Sequence, residues 1–210
     1  VREGEAVPAV FEFRPGIDAV VPTEAQVSGR AGCRSADLGD VRGAVERASC
    51  TAVGLAEPRA FELSLEARFE GDLIVMPGII LSSGPLVRAL EGAAEVSLML
   101  STIGPACEDE ADALEMSGDH LGAFLLDAAA SVLVENVMKE LHRETAGRLP
   151  GRRGTVRFSP GFGDFSLESQ ADIVRLLGGD STGVRVMEES YTLVPRKSMT
   201  GVTGWVPLSS

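Results

Sequence analysis

The stretch that most constrains this chain runs from Asp119 to about Ala146. Between Leu121 and Leu133 nearly every position is apolar or small (LGAFLLDAAASVL), so a helix here would be apolar around most of its circumference. Such a helix must be covered on several sides, and the rest of the chain has to supply the cover. Against that background Asp127, Ser131 and Glu135 fall at i, i+4 and i+8 and share one stripe. A carboxylate in an apolar stripe needs a partner or a wet cleft, which makes Glu135 a candidate binding residue. The same position also suits a helix emerging into solvent, since Lys139, Glu140 and Arg143 follow.

The flanking segments alternate in type. Val10-Phe11-Glu12-Phe13 reads as a short strand among Pro8, Pro15 and Pro22. Val41, Ala44, Val45 and Ala48 recur at helical spacing, predicting a helix from Asp40 to about Leu55. Residues 60–69 alternate apolar and polar, as a half-buried strand does. Residues 72–81 are apolar but broken by Pro77-Gly78, and Ser82-Ser83-Gly84-Pro85 suits a cap followed by proline in a first turn. The continuous apolar run Val96–Leu100 predicts a buried strand. A helix over about 105–116 carries Glu108, Asp109, Glu110 and Asp112, four acids that read as a solvated face. Beyond the long helix come a basic Pro/Gly linker (148–154), a short strand over Thr155–Phe158, a helix over 167–177 and terminal hairpins. Together these make an α+β protein of one domain.

Composition excludes several functions. The formal charge of -12 over 210 residues argues against a nucleic-acid or anionic-membrane surface. No apolar run reaches the roughly 18–20 residues of a membrane span, and no basic-then-apolar signal opens the sequence. Cys33, Cys50 and Cys107 are odd in number and lack CxxC spacing. They read as small buried hydrophobes in a reducing, cytoplasmic compartment, and with only two histidines the chain reads as metal-free. Gly161-Phe162-Gly163 lacks the third glycine of a dinucleotide loop, and P-loop, nucleophile-elbow and zincin motifs are absent.

Two segments combine cations, turn formers and aromatics. Arg157-Phe158-Ser159-Pro160-Gly161-Phe162-Gly163-Asp164 can expose backbone N–H groups beside a guanidinium, which suits a carboxylate or another anion. Ser190 to Ser198 holds the only tyrosine, Tyr191, with Pro195, Arg196 and Lys197. Plain turn chemistry and a basic hairpin account for the same residues equally well.

Taken in order, three segments resemble the activation domain of cobalamin-dependent methionine synthase. Leu125-Leu126-Asp127-Ala128 through Glu135 to Leu141-His142 is similar to that family's long helix. Arg157-Phe158-Ser159-Pro160-Gly161-Phe162 resembles its R-x-[AS]-P-G-[YF] signature. Glu189-Ser190-Tyr191 through Pro195, Ser198, Gly201, Gly204 and Trp205 resembles its closing strand pair. The resemblance implies a twisted, mainly antiparallel sheet with a long central helix and peripheral helices. Residues 61–210 would form the activation-domain-like core, and residues 1–60 a divergent segment with one helix in the same domain.

The resemblance also implies a function. The chain would bind S-adenosylmethionine and serve a separate methionine synthase core, or another corrinoid protein, that holds the cobalamin. A flavodoxin or similar reductant would supply an electron for remethylation of cob(II)alamin. Such a chain is a component of a methyltransferase and carries no catalytic residue of its own. Glu135, Arg157, Ser159, Pro160, Gly161, Phe162 and Tyr191 would contact S-adenosylmethionine. Phe162 stands where the long enzymes commonly have tyrosine, and residues 1–60 show no counterpart of the family's N-terminal acidic contact. The alternative is a docking module that keeps the fold but has lost S-adenosylmethionine binding.

Overall fold

The computed structural model describes residues 9–33 and 38–208. In chain order the elements are β1 (Phe11–Phe13), α1 (Glu24–Arg30), α2 (Leu38–Leu55), β2 (Arg59–Glu66), β3 (Arg68–Glu70), β4 (Leu73–Met76), β5 (Ile79–Ser82), α3 (Gly84–Ala89), β6 (Glu95–Thr102), α4 (Ala106–Ser117), α5 (His120–Arg148), β7 (Arg152–Gly154), α6 (Ser169–Leu176), β8 (Arg185–Val186), β9 (Leu193–Val194) and β10 (Ser198–Pro207). Helix α2 opens at Leu38, so Asp40, expected at its start, lies inside it. The strand expected over Thr155–Phe158 is displaced. Strand β7 forms within the basic linker instead, and Phe158 makes only an isolated bridge to Val202.

Five strands form one sheet in the order β1-β2-β6-β10-β7, with antiparallel neighbours throughout. Alternation along these strands sends side chains to two faces. Ala60, Met99 and Trp205 join one buried cluster with α1, α2, α4 and α5. Phe61, Leu63, Leu65, Val96, Leu98, Leu100 and Val202 join a second, beneath the β3-β4-β5 sheet, α3 and α6. That double cover explains why β6 reads as a continuous apolar run: both its faces are buried.

Helix α5 lies across the first face. Its N-cap, Asp119, accepts from the Gly122 N–H at 2.9 Å. Leu125, Leu126, Ala129, Ala130, Leu133, Val137, Met138 and Leu141 are almost wholly enclosed by the sheet and neighbouring helices. By length and composition α5 could cross a membrane, but 61% of its most apolar window is buried inside this protein. The Ser101 hydroxyl of β6 donates to the Val134 carbonyl of the helix at 3.2 Å.

Under the C-terminal part of α5 the sheet buries a polar cluster. The Trp205 indole N–H donates to Ser97 Oγ at 2.7 Å, and the Ser97 and Ser64 hydroxyls both donate to Glu62 Oε1 at 2.5 Å. Glu62 is 4% exposed, and Arg148 closes the cluster with Nη1 3.5 Å from Glu62 Oε2 while stacking on Phe11. A buried carboxylate is tolerated here because each side of it meets a donor.

The cysteines divide by environment, contrary to the expectation that all three are buried. Cys107 is buried, Cys33 is half-buried, and Cys50 is exposed on α2. Burial pushes the Cys107 thiol up to about 11. On the native protein near pH 8, iodoacetamide is therefore expected to alkylate Cys50 and spare Cys107, since the thiolate is the nucleophile. Mass mapping that finds Cys107 modified as fast as Cys50 would contradict this packing. Glu62→Ala is expected to lower stability by about 2–3 kcal/mol by leaving buried donors unpaired, and Glu62→Gln by less; urea denaturation measures both.

Candidate functional site

The stripe on α5 divides between two jobs. Lys197, only 8% exposed, donates through Nζ to Asp127 Oδ1 at 2.7 Å and to Ser131 Oγ at 2.9 Å. Its neighbour Arg196 turns to α4, where Nη2 donates to Asp112 Oδ1 at 2.9 Å and its backbone N–H to Glu108 Oε2 at 2.7 Å. Two of the four acids expected on a purely solvated face thus hold the entry to β10. Glu135, one turn beyond Ser131, is left to face a cleft, with Lys139 Nζ 3.3 Å away on its own helix.

Across that cleft lies the Arg157 loop. Phe158 pairs with Val202 of β10 through reciprocal backbone bonds of 2.9 and 2.7 Å, which fixes the loop to the sheet edge. The aliphatic stem of Arg157 rests on Gly201: a Cβ there would lie 2.6 Å from Cδ and 2.8 Å from Cγ of the arginine. Glycine at 201 is therefore a packing requirement for the arginine. A cavity of about 540 Å³ opens at this point, lined by Arg157, Glu135, Phe158, Ser159, Phe162, Val156, Met199 and Arg30.

Arg157 is the electrostatic centre of the cavity. Its Nε is buried and has no hydrogen-bond partner among the described residues. Burial draws the guanidinium's pKa down, and the Glu135 charge opposes that shift. A guanidinium with an unspent buried donor is short of an acceptor, and a carboxylate is the group its planar fork fits best. Phe162, 67% exposed, stands with its ring centroid 6.4 Å from that of Phe158, giving an edge-to-face aromatic pair at the mouth.

The loop itself is more self-contained than its sequence promised. Gly161 has φ +92°, a conformation glycine adopts without cost. Its N–H donates to the Phe165 carbonyl at 2.8 Å, and the Phe162 N–H to Ser159 O at 3.2 Å. These donors close the turn and are not offered to an anion, so the expected row of free N–H groups does not form at these two positions. Asp164 accepts from the Ser83 hydroxyl at 2.5 Å and ties the loop to the start of α3.

Of the sequence candidates, Glu135, Arg157, Ser159 and Phe162 line the cavity. Pro160 is buried in the turn and Gly161 shapes it, without lining the cavity. Tyr191 does not line it either. It sits at φ 54°, uncommon for a non-glycine residue, and its carbonyl accepts from Gln170 Nε2 at 2.6 Å. Gln170 in turn takes the Thr200 hydroxyl at 3.0 Å, so Tyr191 meets β10 through this relay. Val156, Met199 and Arg30 escaped the sequence analysis. Arg30 comes from the last turn of α1, some 127 positions before Arg157 in the chain, and no local pattern connects the two.

The fold is similar to that of a methionine synthase reactivation domain. The structure matches the crystal structure of the MetH reactivation domain bound to AdoHcy with a TM-score of 0.72, over 97% of this chain and 80% of that one, at 17% sequence identity. No protein-family model and no curated protein matches the sequence.

His142 gives the fold a pH signature. It lies two turns beyond Glu135 on α5 with its ring centroid 5.3 Å from Trp205, and burial, then the Arg157 charge, lowers its pKa from 6.5. The folded state therefore prefers neutral His142, and the unfolded chain takes up the proton first as pH falls. Stability contributed by this residue should be complete above about pH 6.5 and decline as pH drops through that value. Urea denaturation of wild type and His142→Gln between about pH 5 and 8 checks this. The stability difference between the two proteins should shrink or reverse only on the acid side.

Proposed function

We propose that this protein binds S-adenosylmethionine in the Arg157 cavity and reactivates a separate cobalamin-dependent methionine synthase core in the cytoplasm. The observation that carries this reading is that Arg157, whose buried Nε has no partner among the described residues, and the carboxylate Glu135 line one cavity of about 540 Å³. An amino-acid end needs that pair of opposite charges: the arginine for its carboxylate, the acid for its ammonium. The fold likeness to a reactivation domain bound to AdoHcy supports the same ligand class.

In this reading the residues divide the work of binding. Arg157 holds and orients the ligand carboxylate, and Gly201 gives its stem the room to lie flat on β10. Glu135 receives the ammonium. Phe158 and Phe162 offer flat apolar walls to the rest of the ligand, and Ser159 adds a polar group at the same rim. The bound S-adenosylmethionine supplies the methyl group, while the cobalamin that accepts it and the flavodoxin-like reductant belong to partner proteins. The exposed mouth at Phe162 and Val156, 67% and 79% exposed, leaves the ligand open to such a partner.

Titration calorimetry on the isolated protein, and on a mixture with a methionine synthase core, tests the reading. S-adenosylmethionine should bind, and Arg157→Ala should weaken it by about 1.5–3 kcal/mol, the range for a charge-assisted hydrogen bond. Adding the protein to an oxidised core enzyme with reductant should restore turnover. Absence of binding in both settings would overturn the reading and leave a docking module for a corrinoid protein.

A further inference from the structure

Resting on that reading, we infer that Arg30 makes the cavity selective for charge, so that it holds S-adenosylhomocysteine more tightly than S-adenosylmethionine. The two ligands share a carboxylate, an ammonium and an adenosine, and differ in one methyl group and one positive charge on sulfur. The cavity's own charges decide which is favoured.

Among the described residues two guanidiniums line the cavity, from Arg30 and Arg157, against a single carboxylate, Glu135. That carboxylate is already shared with Lys139, whose Nζ lies 3.3 Å away. The ligand's carboxylate answers Arg157 and its ammonium answers Glu135, which leaves Arg30 as an uncompensated cation. Arg30 forms no ion pair among the described residues. A sulfonium then enters a site whose described residues offer no second carboxylate to meet it and put an excess positive charge on its wall. The neutral thioether escapes that repulsion and keeps every other contact. The aromatic walls do not reverse the order, because a ring that attracts a sulfonium at an exposed mouth also makes favourable contact with a thioether.

The repulsion acts across a partly solvated cavity, where a single charge pair several ångströms apart is worth about a five- to tenfold change in affinity. Titration calorimetry of both ligands on wild type, Arg30→Gln and Arg30→Glu reads it directly. Wild type should bind S-adenosylhomocysteine about five- to tenfold more tightly. Arg30→Gln should bring the two within about twofold, Arg30→Glu should favour S-adenosylmethionine, and added salt should narrow the wild-type gap. Arg30 is exposed at the end of α1, so these variants leave the core untouched. Both ligands binding wild type with S-adenosylmethionine equal or tighter, or a ratio unchanged in Arg30→Gln, overturns this inference and leaves the proposed function standing. If neither ligand binds, alone or with the core enzyme, the proposed function falls and this inference with it.

Discussion

Everything in this structure depends on covering α5. A 29-residue helix with leucine, valine and alanine around most of its surface gains about 1.5–3 kcal/mol for each large side chain removed from water. That gain is available only if several elements close on it at once. The five-stranded sheet closes one side and α1, α2 and α4 close others. The alternation of the sheet strands then leaves a second apolar face, which the β3-β4-β5 sheet, α3 and α6 cover in turn. One over-apolar helix thereby accounts for both layers of the protein.

Polar groups are admitted to this core only where they hold elements together. Glu62 with Ser97, Ser64, Trp205 and Arg148 joins the middle of the sheet to the end of α5. Lys197, between Asp127 and Ser131, joins the start of β10 to the middle of the same helix. These two anchors fix β10 at both ends relative to α5. The Arg157 loop pairs with β10 midway, at Val202, so its distance from Glu135 is set by the anchors and not by the loop. A side chain held in this way is preorganised, because the rigid elements bear the cost of its placement.

Much of this was legible in the residues. The long helix, the central strand β6, the break at Pro77-Gly78 and a serine cap before Pro85 all follow local rules of periodicity and capping, and all occur, with Ser83 as the cap. The resemblance to a reactivation domain, carried by three short segments in order, agrees with a fold that covers almost the whole chain. The strand after the linker was misplaced because Thr155–Phe158 has strand-like residues but finds only one bridge, whereas Arg152–Gly154 is recruited by the end of β10. Pairing partners distant in sequence decide such cases, and propensity does not see them.

The sequence by itself determined which helix must be buried, which turns must bend and which cation, Arg157, stands in a glycine- and proline-shaped loop. These are local properties of spacing and side-chain shape. Only the tertiary structure decided that Arg157 is half-buried with Nε unpaired among the described residues, that Gly201 is the platform for its stem, and that Asp127 is spent on Lys197 while Glu135 is not. It also brought Arg30 from a distant helix to the same cavity and left Tyr191 outside it. Burial and charge balance depend on which surfaces meet, and that is a property of the assembled layers.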